Sequence, residues 1–337
     1  MKTLLITTSL AALVAGTANA EAARPRVVLA VDGVAETRNL PVLIAERLSY
    51  FRDEGLTVTV VDAPAEPSPA TLMADGRVDG AVAFYHHTFM SQTDNQMTTQ
   101  AVVLMGATPG LKFMGAARLR LALKGPSDLK GRVIYAGGSN SGKTTALNWM
   151  MMHAGLTISD FKRLPNVAAD VMGKGLAEGA ADAIMSHEPD ADKYEADGAA
   201  FPIADLETPA GTTAALGSIF PSTTLYMPEA YITANPDTVQ HLVNALLRSM
   251  RFINSHSAAE IAKALPDKAA GKDKAAFLKL LDEDKAMFST DGRFPEAAVR
   301  QELLVMTAQT SKYAKVRLDD TYTNRFVDQA KVNTEAR

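Results

Sequence analysis

Nine consecutive residues, Gly137 to Thr145 (GGSNSGKTT), match the pattern G-x-x-x-x-G-K-[ST], with Gly137, Gly142, Lys143 and Thr144 in the required places. A loop of this kind, set between a strand and a helix, wraps backbone N–H groups around a phosphate while its lysine neutralises the charge. A strand-like run precedes it and a helical pattern from Thr144 to Ala154 follows, so the local context also fits. Nucleotide hydrolysis would further need an aspartate at the end of an apolar strand to hold magnesium. Asp170 and Asp182 do not occupy such positions, and the motif lies deep in the chain instead of opening it. The underlying physics is broader than nucleotides: free N–H groups at a helix N-terminus, with the positive end of the helix dipole, favour any anion. Ser139, Asn140, Ser141, Gly142, Lys143 and Thr144 are therefore candidate ligand contacts. The plainer alternative is a well-capped strand–helix turn with Lys143 in solvent.

Histidines are the other chemistry-bearing residues. His86, His87, His187 and Glu188 are metal-ligand types. Adjacent residues on a strand face opposite sides, so His86 and His87 do not chelate together without a turn, and no metal site is expected. His153 falls near the end of a helical stretch, where a cation suits the dipole. Trp149, the single tryptophan, lies inside the same stretch as a packing residue. There is no cysteine, which excludes thiolate catalysis, Cys-ligated zinc, iron–sulfur clusters and disulfides. No G-x-S-x-G elbow points to a hydrolase.

The elements that must position these residues belong to a chain of 337 residues, 47% hydrophobic and 21% charged, enough for about two domains. Its net charge of −4 argues against a nucleic-acid binder. Residues 1–20 read as a secretory signal peptide: Lys2, an apolar run from Leu4 to Ala15, and Ala18 and Ala20 as the small residues of a cleavage site, with cleavage after Ala20. Thr7, Thr8, Ser9 and Thr17 interrupt the run, against a membrane anchor. On the exported side of a membrane ATP is essentially lacking, a further argument against nucleotide chemistry.

Strand-like and helical stretches then alternate. Strands are expected over 26–33, 56–63, 78–85, 100–107, 132–137 and 182–187. Helices are expected over 40–55, 70–76, 144–154, 237–253, 275–288 and 296–310. This rhythm predicts an α/β protein with parallel-rich sheets flanked by helices. Two strand-like passages with Gly/Pro punctuation, Leu119–Gly131 and Ser218–Pro228, are expected hinges. They divide the chain into one lobe of residues 24–122 plus 224–337 and a second of residues 123–223.

Five segments together resemble the periplasmic substrate-binding proteins of ABC importers for sulfonates, taurine, nitrate and thiamine-pyrimidine precursors. They are residues 40–61 (LPVLIAERLSYFRDEGLTVTVV), 71–84 (TLMADGRVDGAVAF), 128–156 (DLKGRVIYAGGSNSGKTTALNWMMMHAGL), 176–192 (LAEGAADAIMSHEPDAD) and 231–250 (YITANPDTVQHLVNALLRSM), in family order over about two thirds of the chain. The resemblance implies the two-lobed periplasmic-binding-protein fold of type II, with two crossing hinge strands and a ligand held between the lobes. It implies capture of a small polar solute for a cognate permease in the inner membrane, by a periplasmic monomer that is not an enzyme and needs no cofactor. Five loops are then expected to touch the ligand. They supply Asp32, Thr37 and Asn39; Tyr85, His86 and His87; the glycine loop with Ser139 to Thr144; His187 and Glu188; and Phe220 and Ser222.

This chain departs from the pattern at two loops. Tyr85, His86 and His87 stand where small residues are common, and His187-Glu188 stands where related chains often place an aromatic. A carboxylate there repels a small anion unless a cationic part of the ligand meets it. A larger anion-bearing molecule, sulfonate-like or zwitterionic or heteroaromatic, fits better than nitrate. Two enzyme readings stand as alternatives: a P-loop-type nucleotide-binding enzyme and a thiamine-pyrimidine-synthase-like enzyme.

Overall fold

The structure is a computed structural model that describes residues 24–330 apart from 35, 65–66, 95–96, 140, 188 and 267–272. The expected signal peptide, Asn140 and Glu188 lie outside the described residues. Among the described residues, ten strands form two five-stranded sheets. The first contains β1 (Arg26–Val31), β2 (Thr57–Asp62), β3 (Gly80–Phe84), β4 (Thr99–Leu104) and β10 (Thr223–Pro228). The second contains β5 (Leu111–Ala116), β6 (Val133–Tyr135), β7 (Lys162–Leu164), β8 (Ala183–Ser186) and β9 (Ala200–Leu206).

The two sheets share one design. Their orders are β2-β1-β3-β10-β4 and β7-β6-β8-β5-β9. In each, one strand runs antiparallel to both neighbours, β10 in the first and β5 in the second. These two strands flank the passages between the sheets. The chain crosses at 105–110 and returns at 217–222, and the passages are bonded to each other: Ser222 N–H donates to the Gly106 carbonyl at 2.9 Å and Phe220 N–H to the Ala107 carbonyl at 3.0 Å.

The first passage corrects the expected hinge. Residues 119–131 form no strand but short 3-10 turns at Ala117–Leu119 and Pro126–Leu129, because Gly125-Pro126 breaks extended pairing. Leu111–Ala116 already belongs to the second sheet, ahead of the 122/123 boundary suggested by the sequence. The helix expected over 40–55 is likewise two helices, Leu40–Arg47 and Tyr50–Asp53, parted by Ser49 at φ +64°.

Both faces of the first sheet are covered, as expected when parallel strands dominate. Val27, Leu29 and Val31 pack with the amphipathic helix Pro236–Ser255, while Ala30, Ala81 and Ala83 face Tyr85, Phe89 and Phe294. Helix Glu296–Gln309 joins the two halves: Val299 and Met306 enter the first core, Ala298 and Val305 the second.

Candidate functional site

The loop after β1 carries the first cluster of charge. Residues 37–39 make one 3-10 turn before helix Leu40–Arg47, with Pro41 in the first helical turn. Asn39 is fully buried and donates to Asp32 Oδ1 at 3.1 Å and to the Gly33 carbonyl at 2.8 Å. Arg38, missed in the sequence reading, holds the loop together: its guanidinium donates to the Asp32 carbonyl at 3.0 Å and to Glu36 Oε2 at 2.8 Å. It also pairs with Asp32 Oδ2 at 3.3 Å. The Thr37 hydroxyl donates to Asp284, on helix Lys274–Asp284.

The glycine loop has a structural reason at three of its four signature positions. A Cβ on Gly137 would fall 2.0 Å from Ser141 Oγ. Ser141 caps helix Gly142–His153 by accepting from Thr144 N–H at 3.2 Å. Thr144 donates its hydroxyl to the Gly137 carbonyl at 2.8 Å. A Cβ on Gly142 would fall 2.7 Å from the ring of Phe84, which belongs to the other sheet. Arg163, on β7 beside Ile134 of β6, braces the loop from behind. Its guanidinium donates to the Gly137 carbonyl at 2.5 Å, to Thr144 Oγ1 at 3.1 Å and to Ser139 Oγ at 3.0 Å.

Between the sheets lies a cavity of about 260 Å³, walled by Phe84, Pro109 and Met287 and lined by Glu36, Arg38, His187 and Asp190. Lys143 is not one of the lining residues but interacts electrostatically with three of them, Asp190, Glu36 and Arg38, and burial lowers its pKa. His187 donates through Nδ1 to the Gly110 carbonyl at 3.2 Å, which leaves Nε2 as an acceptor. Burial, followed by the nearby Lys143 charge, pulls the His187 pKa down to about 4. His87 is pulled down to about 3, chiefly by burial and then by His86. Both rings are neutral at pH 7, so the cations here are Arg38 and Lys143. Tyr226 carries a buried phenol without a hydrogen-bond partner among the described residues, next to His87 and within the field of Asp32.

Several residues expected in the cleft are elsewhere. Tyr85 is fully buried among Phe89, Phe294 and Tyr322, with its hydroxyl 2.6 Å from Thr321 Oγ1. His86 is buried with its Nδ1 3.1 Å from Glu302 Oε1. Phe220 packs on Trp149 in the second core. Ser222 is buried at the crossing, its Oγ filling the space where Gly106 lacks a side chain. Tyr85 and His86 follow β3, as cleft residues do, and Phe220 and Ser222 lead into β10, but all four side chains turn inward to fill the cores around them. Of the expected residues, Thr37 and His187 line the cavity between the sheets, Asp32 and His87 interact electrostatically with each other beside Arg38, and Asn39 is buried within its own loop.

The NMT1/THI5-like family model matches residues 36–259. The chain belongs to this family. No curated protein matches it significantly. Among solved structures, a protein from Bordetella bronchiseptica RB50 is 29% identical, with a TM-score of 0.71 over 90% of this chain and 96% of that one. The alkanesulfonate-binding protein SsuA from Xanthomonas axonopodis pv. citri, bound to MOPS, is 17% identical, with a TM-score of 0.62 over 90% and 99%. The desulfurization enzyme DSZB is 16% identical, with a TM-score of 0.58 over 91% and 98%. The NMT1/THI5-like fold is thus the two-lobed fold of periplasmic binding proteins, found mostly in binding proteins and also in an enzyme.

Proposed function

We propose that this NMT1/THI5-like protein is the exported solute receptor of an ABC importer and closes on a small, anion-bearing organic molecule for delivery to an inner-membrane permease. The observation that carries this reading is a cavity between the two sheets lined by Arg38, from the loop after β1, and by His187, from the loop after β8, with Lys143 of the glycine loop within electrostatic reach of both. A ligand touching both loops gains its full contacts only when the lobes are closed, so it shifts the open–closed equilibrium. No bond is made or broken. The signal-like residues 1–20 and the periplasmic-binding-protein fold support action in the periplasm. The nucleotide alternative is disfavoured because the Thr144 hydroxyl, which would hold magnesium in a P-loop, is already bonded to Gly137 and Arg163.

Titration calorimetry with sulfonates and carboxylates, with and without an amine, tests the reading. A ligand of this kind binds the wild-type protein, and Arg38→Ala or Lys143→Ala weakens it by about tenfold or more, the loss of one charge-assisted contact. Binding that neither substitution changes would remove the assignment of the site.

A further inference from the structure

We infer that helix Lys274–Asp284 is a lid on the cavity between the sheets, and that the Lys279–Asp192 ion pair latches it to the second lobe; the inference rests on the hinge motion of the receptor reading. The helix belongs to the first lobe. Leu281 is buried in the first core, Phe277 and Leu278 pack against that core, and Asp284 accepts from the Thr37 hydroxyl. It lies beyond residue 259, where the family match ends. Leu280 and Asp284 nevertheless line the cavity together with His187 and Asp190 of the second lobe. The packing of the helix on its own lobe is incomplete: a cavity of about 420 Å³, lined by Leu40, Leu43, Phe277 and Leu281 among others, lies between it and helix Leu40–Arg47. Fewer van der Waals contacts hold it there than a filled core would supply.

Charge joins this helix to the second lobe. Lys279, one residue before Leu280, places its ammonium 2.6 Å from Asp192 Oδ2, two residues after Asp190. Each partner is also anchored on its own side. Lys279 Nζ is 2.9 Å from Glu283 Oε1, one turn along the same helix. Asp192 Oδ1 is 3.2 Å from Nζ of Lys112, on β5, which in turn lies 3.5 Å from Glu207 Oε2. Five charges of alternating sign therefore run from one lobe to the other, and the Lys279–Asp192 contact is the link that crosses. Opening the lobes has to break it. A half-exposed pair of this kind adds little to folding stability, but the balance between open and closed lobes is itself a small free energy, and there the pair counts.

The chain has no cysteine, so spin labels on Ala74→Cys and Ala168→Cys, exposed positions of the first and second lobe, report the separation of the lobes by pulsed electron resonance without any ligand. With this labelled protein as reference, Lys279→Met and Asp192→Asn should each lower the ratio of closed to open molecules by about two- to fivefold, and the two together by no more than the larger single effect. Lys279→Arg should keep the ratio, and Glu283→Gln, which leaves the crossing contact in place, should change it less than Lys279→Met does. High salt should lower the ratio in the reference protein and not in Lys279→Met. Equal ratios in the reference, Lys279→Met and Asp192→Asn overturn the latch, and so do additive effects of the two substitutions. One unchanged separation in every variant and at every salt concentration also overturns it, by showing lobes that do not move. None of these results bears on ligand binding, so the calorimetry with sulfonates and carboxylates described above decides the receptor reading separately.

Discussion

Gly142 and Phe84 touch across the cleft: a Cβ added to Gly142 would lie 2.7 Å from Phe84 Cε1, closer than real side chains approach. The second glycine of the phosphate-loop pattern is therefore explained by lobe-to-lobe packing. Gly142→Ala places the extra methyl between the lobes, against the Phe84 ring that packs on the edge of the second core. It should lower ligand affinity by about tenfold, while chemical unfolding shifts by less than ~1 kcal/mol, since alanine is the better helix former. Calorimetry paired with urea unfolding checks both, and undiminished affinity would contradict the packing argument.

Arg163 offers a test of how the glycine loop is held. Arg163→Met removes three hydrogen bonds from a guanidinium to the loop, though Thr144 still donates to the Gly137 carbonyl. With hydrogen bonds to charged groups contributing about 1.5–3 kcal/mol at best and this one half-exposed, a stability loss of about 1–2 kcal/mol is expected in urea unfolding. Ligand affinity should fall as well, because Ser139 and the loop backbone lose their brace.

The pH dependence of folding has a defined sign. His87 and His187 have folded pKa values of about 3 and about 4, below their ordinary 6.5. Between those values and 6.5 the unfolded chain binds protons that the folded chain does not, so stability falls as the pH drops through this window. Buried Glu302 acts oppositely: its raised pKa makes stability fall as the pH rises above the ordinary 4.5. Two histidines outweigh one carboxylate, and unfolding free energy should decrease by about 2 kcal/mol from pH 6.5 to pH 5. His87→Gln with His187→Gln should flatten or invert that slope in denaturant titrations.

Glu302 itself distinguishes a neutral buried pair from an ionic one. Burial holds its carboxyl protonated well above the usual range, 3.1 Å from His86 Nδ1, with Oε2 lacking a partner among the described residues. Glu302→Gln keeps the shape and the neutrality and should cost less than ~1 kcal/mol at pH 7. A loss of about 3–5 kcal/mol, typical of breaking a buried ion pair, would show that the pair is charged.

Much of this architecture is legible in local pattern. The β-branched alternation of residues 57–62 and the spacing of 236–255 locate a strand and a long helix because burial imposes those periods. β5 was hidden: Leu111–Ala116 follows the β4 run after only a Pro109-Gly110 turn, and no local period tells which sheet a strand joins. The glycine loop was visible as an anion-friendly helix start, but its closeness to Phe84 was not. Arg38 has no local signal of its own, because its role depends on the folded loop bringing Asp32 and Glu36 to its guanidinium. Arg163 had no sequence signal, since only the pairing of β6 with β7 brings it behind the loop. Tyr85, His86 and Phe220 lie in the core and not in the expected cleft, because a position beside a strand end does not say whether its side chain turns to the cleft or to the core.

The most direct measurement is a thermal-shift panel on the purified protein, covering sulfonates, phosphonates, carboxylates, amino-acid-like zwitterions, pyrimidines, and ATP with magnesium. A ligand at 100 times its dissociation constant adds about 2.7 kcal/mol, worth several degrees for a chain of this size. Stabilisation by one class of anion-bearing solute, with none by ATP and magnesium, is the predicted result. Stabilisation by ATP and magnesium alone would mean that GGSNSGKTT is a working phosphate loop, and it would contradict the solute-receptor function.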